Sequence, residues 1–366
     1  MRPHICLLAA VVLVAGAQTA TEWKGARFER PAGVNPVISP VTASVFACPM
    51  RQAPVHWEAL HTFNPAAVVR NGKVYVLYRA EDDSGEMKIG MHTSRLGLAE
   101  SADGLHFTRR PTPVLYPAED SQKEREWGGG CEDPRIVESP DSGYVLTYTQ
   151  WNRKTTDIGI ATSPDLVSWT KHGPAFAHAS GGKYLLRSHK SAGIVSMVSG
   201  NRLIAAKING KYWMYWGEGE VHLATSTDLI DWRPVEDAAG NAVVVLSKRE
   251  GRFDSSFPEV GPPPVLTANG IVVLYNGKNA ARGGDPDLAA ATYAAGEARF
   301  AADDPARLLD RTASPVFRPE LPFERSGQYA AGTTFTEGLV WFQGKFFLYY
   351  GCADSLVGVA VASSIE

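Results

Sequence analysis

Cysteine is scarce in this chain of 366 residues: there are four, and Cys6 lies inside an apolar N-terminal run. The remaining three, Cys48, Cys131 and Cys352, are too few for a disulfide framework. One bridge, Cys131 with Cys352, can be considered, although buried free thiols are the plainer reading. Charge of one sign is lacking too, with 36 basic against 39 acidic side chains and no run of lysine or arginine. That excludes the electrostatic footprint of a nucleic-acid binder. Beyond the N-terminus no segment approaches the roughly 20 apolar residues of a membrane helix. There is no G-x-S-x-G elbow, P-loop or dinucleotide fingerprint, and Gly128-Gly129-Gly130 does not open a helix as a phosphate cradle would. His61, His92, His106, His172, His189 and His222 show no ligand spacing, so neither metal nor cofactor is expected. Helical periodicity is absent as well, except around Asp303 to Asp310.

What the chain has in abundance is repetition. GKVYVLYRA from Gly72, SGYVLTYTQ from Ser142, GKYWMYWGE from Gly210, NGIVVLYNG from Asn269 and GKFFLYYGCAD from Gly344 are variants of one strand. Their tyrosines, Tyr78, Tyr148, Tyr215, Tyr275 and Tyr349, are 70, 67, 60 and 74 residues apart, a period that fits one supersecondary unit per repeat. A second motif interleaves with the first: LAESADGLHF from Leu98, IATSPDLVSW from Ile160 and LATSTDLIDW from Leu223. Each reads as a strand, an Asx-type turn and a further strand of the same unit. Asp165 and Asp228 are therefore turn formers, while Asp103 is retained as a candidate substrate contact. The fold expected is all-β, a five-bladed β-propeller with a central axial site, because radial repetition protects short sheet edges. Residues 59–366 would form it, with 18–58 completing or flanking the ring.

Residues 1–17 read as a secretory signal, with Arg2 supplying positive charge, Cys6 to Gly16 the apolar run and Ala15-Gly16-Ala17 a small-residue cleavage site. The mature protein is expected to be exported, periplasmic or extracellular. Its 9 tryptophans and 13 tyrosines suit the flat faces of sugars as well as propeller cores.

The equivalent strand ends carry Arg79, Gln150, Glu218, Asn276 and, slightly later, Asp354, five different polar groups around one expected axis. The densest unusual stretch is Trp127-Gly128-Gly129-Gly130-Cys131-Glu132-Asp133-Pro134-Arg135. Its glycines permit close backbone approach, and its proline stiffens two adjacent carboxylates and an arginine. In an extended segment Glu132 and Asp133 point apart, so one is expected to face a ligand while the other pairs with Arg135. A salt-bridged turn would use the same residues.

Phe63-Asn64-Pro65-Ala66-Ala67, Tyr78-Arg79-Ala80, Gly129 to Arg135, the Ala-Thr-Ser-x-Asp-Leu repeats and Tyr349-Tyr350-Gly351-Cys352-Ala353-Asp354 together resemble glycoside hydrolase family 130. The likeness runs from about residue 60 to the end. It implies a five-bladed propeller acting on β-mannosides, either as a phosphorylase or in a smaller branch of hydrolases for β-1,2 linkages. By that resemblance Asp133 is the general acid, acting through a hydroxyl of the bound mannose, and Asn64, Arg79 and Asp354 hold the sugar. Arg135, Asn276 and Tyr350 join the expected substrate contacts, and Lys190 and Lys207 resemble positions near the substrate or anion pocket.

The same resemblance makes one departure informative. Family phosphorylases carry a His-Arg-Pro run after the third tyrosine strand, whereas this chain has Tyr215-Trp216-Gly217-Glu218. A phosphate dianion needs converging cations, and a carboxylate there would repel it and could polarise water instead. Glu259, in the stiff segment from Phe253 to Pro264, is the second carboxylate of the hydrolytic pattern, and either glutamate could be the base. The expectation is an exported inverting β-1,2-mannosidase acting from the chain end without a cofactor. The alternatives are a mannoside phosphorylase and a noncatalytic sugar-binding propeller.

Overall fold

Residues 23–84 and 86–366 are described by this computed structural model. The five tyrosine segments are the second strands of five antiparallel units, each buried on both faces by its neighbours. The first blade comprises His61–Arg70, Lys73–Asp82, Thr93–Ser101 and Thr108–Arg109. Its opening hairpin turns at Asn71-Gly72, both at positive φ, as a two-residue turn matched to strand twist requires. The second blade is Gly130–Glu138, Tyr144–Trp151, Thr156–Ser163 and Thr170–Pro174. The third is built on Ala192–Ile194, Lys211–Trp216, Val221–Ser226 and Arg233–Pro234. In the fourth, Phe257–Val260, Gly270–Lys278, Tyr293–Phe300 and Leu308–Arg311 follow one another. The last consists of Thr334–Phe342, Lys345–Cys352 and Leu356–Ala362. Glu29 and Ile38 of the N-terminal segment bridge to Val361 and Val357 at its outer edge. The architecture is the five-bladed β-propeller that the repeat implied.

The first strands face one another across the middle, so they, and not the tyrosine strands, present most of the central side chains. This corrects one expectation: Gln150 is buried against Gln122, Glu126 and Tyr148 inside its own blade. The tyrosines are mortar. All five are at most 2% exposed, and each hydroxyl donates at 2.7–2.8 Å to an acceptor outside its own strand: Glu58, Glu126, Pro305 O, Asp254 and Gly104 O. A buried hydroxyl left unpaired would cost about 1–3 kcal/mol, so these contacts fix which loops seal each blade.

The Ser-x-Asp motifs are turns. Asp103 Oδ1 accepts from the backbone N–H groups of Leu105 and His106 at 2.9 Å, and Asp165 and Asp228 repeat the pattern. Asp103 is thus committed to its turn, against the expectation that it meets substrate. Around Asp303 to Asp310 the chain forms a turn followed by the strand Leu308–Arg311, not a helix. Among the described residues the helical elements are Lys123–Glu126 and the 3₁₀ segments Ser180–Leu186 and Pro322–Glu324. None is long and apolar enough to cross a membrane. Cys48, Cys131 and Cys352 are buried free thiols, and no Cys131–Cys352 bridge forms. The signal sequence read in residues 1–17 lies outside the described residues.

Glu297 in the fourth blade anchors the N-terminal segment by accepting from Ala26 N–H at 2.8 Å. Burial outweighs that hydrogen bond and pushes its carboxyl up to about 8. The native state therefore binds a proton that the unfolded chain has already released near pH 4.3, and stability falls as pH rises between those values. The loss is about 1.4 kcal/mol for each unit by which the native pKa is raised. Glu297→Gln, which keeps the acceptor, is expected to flatten the decline in denaturation free energy between pH 5 and 8. A variant with the same slope as the parent would show that Glu297 is not the responsible group.

Candidate active site

Three first strands break register at comparable depths. In the first blade Asn64 is skipped between Phe63 and Pro65, in the second Asp133 and Pro134 between Glu132 and Arg135, and in the fifth Glu337 between Thr336 and Gly338. A bulge re-aims a side chain that strict alternation would send elsewhere. Asn64 and Asp133 reach these positions at φ of 44° and 47°, and Asp354, in the turn after the last tyrosine strand, is at 51°. Such left-handed conformations in side-chain-bearing residues cost of order 1 kcal/mol each and concentrate at functional sites.

Arg79 gathers one wall of the pocket. Its Nη1 and the Asn64 amide both donate to Asp133 Oδ1 at 2.9 Å. Its Nη2 donates to Glu81 at 2.7 Å and to Glu132 at 2.8 Å, its Nε to Ser94 at 3.0 Å, and its guanidinium lies over the Phe63 ring. Burial works against ionisation of Asp133, but Arg79, Lys190, Arg135 and the Asn64 hydrogen bond outweigh it and hold the group at about 2. Glu132 goes the other way: burial, reinforced by Asp133 and Glu81, pushes it up to about 7. Asp354 is raised by burial to about 7 as well. The expectation that Glu132 or Asp133 pairs with Arg135 while the other faces a ligand is corrected, since both pair with Arg79 and both line the pocket.

Lys190 organises the other wall. Its ammonium lies 3.1 Å from Glu218 and 3.5 Å from Glu259. These glutamates come from different blades, yet their backbones bridge directly, with Gly219 N–H donating to Pro258 O and Val260 N–H to Gly217 O. Gly217, at φ 122°, allows the tight loop that carries Glu218, because a Cβ there would sit 2.2 Å from Glu220 O. Glu259 accepts from Ser191 Oγ at 2.5 Å, while its second oxygen is buried without a partner. Burial, with the neighbouring Glu218 charge, pushes Glu259 up to about 7.

Asn64, Arg79, Glu132, Asp133, Lys190, Glu259 and Asp354 line one cavity of about 230 Å³. Tyr293, Gln328, Tyr329 and Phe335 line it too, none of them anticipated from sequence. Lys190 and Glu218 also line a wider cavity of about 770 Å³ on the third blade, beside Trp216 and His189. The two carboxylates beside Lys190 thus face different cavities, Glu259 the smaller and Glu218 the larger.

Four expected contacts lie elsewhere, besides Asp103. Arg135 is buried behind the pocket: it donates to Asp133 O at 2.9 Å, Val260 O at 2.7 Å and Gly261 O at 3.1 Å, and lies 2.9 Å from Glu337. It is a bracket joining the Asp133 bulge to the Glu259 strand. Asn276 bonds the backbone and hydroxyl of Thr336, tying the fourth blade to the fifth. Tyr350 donates to Glu324 inside the hydrophobic packing. Lys207 is exposed, with its ammonium over the Tyr212 ring. Sequence reasoning also passed over Glu81 and Glu337. Glu81 was visible in principle, two residues beyond Arg79 on the same strand and so on the same face. Glu337 was not, since a bulge places it.

The chain resembles proteins that act on mannosides. A family model described as beta-1,4-mannooligosaccharide phosphorylase matches residues 35–366. A 1,2-beta-oligomannan phosphorylase of Thermoanaerobacter sp. (strain X514) is 30% identical over 316 residues, covering 85% of this chain and 93% of that one. The crystal structure of a putative glycosidase from Bacteroides thetaiotaomicron is 55% identical with a TM-score of 0.91, over 93% of this chain and 97% of that one. Another, from work on glycoside hydrolases that target beta-1,2 mannosidic linkages in Candida mannan, is 53% identical with a TM-score of 0.91 and covers 93% and 95%.

Burial raises Glu337 well above the ordinary carboxylate range despite Arg135. Removing a proton-bearing carboxyl differs from removing the guanidinium that serves three backbone carbonyls. Glu337→Gln should change the denaturation free energy by less than about 1 kcal/mol, whereas Arg135→Ala should cost about 1–3 kcal/mol for each of the three carbonyls it strands. Equal losses in the two variants would contradict the neutral Glu337 inferred here.

Proposed function

Because the chain belongs to glycoside hydrolase family 130, a family of enzymes acting on β-mannosides, we propose that it hydrolyses β-1,2-linked mannosides from the chain end, with inversion. The observation that supports water as nucleophile is the Glu218–Lys190–Glu259 wall, where two carboxylates surround one cation. A phosphate dianion would find there a single cation already paired with a carboxylate, whereas a water molecule would meet a base. The 53% identical structure from work on hydrolases of β-1,2 linkages supports the same reading. Lys190 and the 30% identical oligomannan phosphorylase favour the second reading, phosphorolysis at the same site.

In the proposed reaction one terminal sugar occupies the small pocket, held by Asn64, Arg79 and Asp354. Asp133 is ionised in the empty pocket, so it must acquire a proton before it can serve as acid. Glu132 and Asp354, both pushed up to about 7, keep protons within the Arg79 cluster for that purpose. Asp133 then passes its proton to the glycosidic oxygen through a sugar hydroxyl. Opposite it, Glu259 retains a proton near neutral pH, which leaves Glu218, the more accessible of the two, as the base that deprotonates the attacking water. The N-terminal run around Cys6 to Gly16 accords with export, where water is the available nucleophile and a released sugar phosphate would be stranded outside the cell.

Purified protein incubated with β-1,2-mannobiose should release mannose at the same rate with and without phosphate. A strict phosphate requirement with mannose 1-phosphate as product would sink hydrolysis. Asp133→Asn and Glu218→Gln should each lose about two to four decades in kcat. Unchanged sugar binding and no activity in the parent would instead identify a binding propeller. The parent's kcat should decline as pH rises through about 7, as the Arg79 cluster loses its proton, and Glu132→Gln should alter that limb of the profile.

A further inference from the structure

The first blade holds a second cluster that the proposed reaction does not use. His61 begins the innermost strand and Glu81 is its direct cross-strand partner, so the two side chains share one face of the hairpin. His92, immediately before the strand Thr93–Ser101, joins them. One donor atom from each of the three lies within 4.8 Å of the other two. Sequence spacing offered no hint of this, because two strands and the segment before a third carry the ligands, and only the blade brings them together.

Hydrogen bonding leaves the set poised for a ligand. His92 is 3% exposed, and its Nδ1 is buried with no partner. A buried polar atom without a partner is costly, and a ligand that it can bind relieves that cost. The His61 Nδ1 meets Ser355 Oγ at 3.1 Å, which orients the ring and leaves Nε2 available. This is the arrangement by which outer partners fix the tautomer of a metal-binding histidine. Of the Glu81 oxygens, Oε1 is taken by Arg79 and Ser94, while Oε2 accepts only the Gln328 amide, at 3.2 Å. Electrostatics point the same way, since Arg79 is shared by Glu81, Glu132 and Asp133 and one buried cation faces three carboxylates.

We propose that His61, Glu81 and His92 bind a borderline divalent transition-metal ion, zinc in particular, with the fourth position open to water or a neighbouring amide. Two imidazoles and a carboxylate suit zinc in a site that is not closed by four protein ligands. None of the three residues lines the sugar pocket. The ion would therefore act on the pocket's rim and not on the glycosidic bond. His92 follows Ile89 and Gly90, which do line the pocket, and Gly90 O accepts from the Trp151 indole. Ser355 and Gln328, which contact His61 and Glu81, flank Asp354 and the fifth-blade loop. A bound ion thus fastens the first-blade connection to the loops that hold Asp354.

The full chain, stripped with a chelator and dialysed, is titrated with zinc chloride by calorimetry, and its melting temperature is read with and without zinc. The expected result is one equivalent bound at micromolar affinity or tighter, with a rise in melting temperature. His61→Ala and His92→Ala should each weaken binding by at least about tenfold, and His56→Ala, at an exposed position, should leave it unchanged. His61 is only half-buried, so its truncation remains informative if His92→Ala fails to fold. Absence of stoichiometric binding, or binding that survives both His61→Ala and His92→Ala in folded protein, overturns the assignment. Neither readout depends on mannoside cleavage.

Discussion

A single buried guanidinium, that of Arg79, sets the terms for everything around it. Three carboxylates reach for it, from its own strand and from the adjoining blade, and one positive charge cannot satisfy three negative ones in a poorly solvated place. The cluster resolves this by dividing protons unequally. Asp133, bonded by both Arg79 and Asn64, keeps its charge, and Glu132 takes up a proton near neutrality. Two adjacent residues of the same type of acid thereby differ in protonation through environment alone, as coupled sites do.

Lys190 imposes a smaller version of the same rule on the facing wall, where Glu218 and Glu259 share one ammonium. The two walls are held at fixed separation by Arg135, which bonds the carbonyl of Asp133 on one side and those of Val260 and Gly261 on the other. A residue that never reaches the pocket thus governs the geometry of those that do. Rigid strands carry it all, and the bulges at Asn64, Asp133 and Glu337 are the places where the sheets yield to aim a side chain.

The fold was legible because its signal is periodic: five tyrosine strands at similar spacing, with Ser-x-Asp turns between them, leave few alternatives to a propeller. Much of the site was legible too, in the sense that Asn64, Arg79, Asp133, Lys190, Glu259 and Asp354 do converge on one pocket and Glu218 adjoins it. Two of the errors share a cause. Gln150 and Asn276 were placed by assuming that equivalent strand ends point at one axis. Side-chain direction alternates along a strand and reverses at each bulge, so one extra residue moves a group from pocket to blade interior. Asp103 and Tyr350 failed differently, since their polar atoms are consumed by a turn and by Glu324. Polar neighbours brought close only by folding cannot be seen from spacing.

The division of labour between the two walls predicts the course of the reaction at the anomeric carbon. Proton NMR of the first turnovers on β-1,2-mannobiose, run in phosphate-free buffer and again with phosphate, reads that course directly. The account predicts that the non-reducing-end sugar emerges as the α anomer in both, so that α-mannose first exceeds its equilibrium share and then relaxes to it by mutarotation. An initial excess of β-mannose over that share would contradict the single displacement by water, and cleavage only when phosphate is added, with mannose 1-phosphate as product, would contradict the water itself.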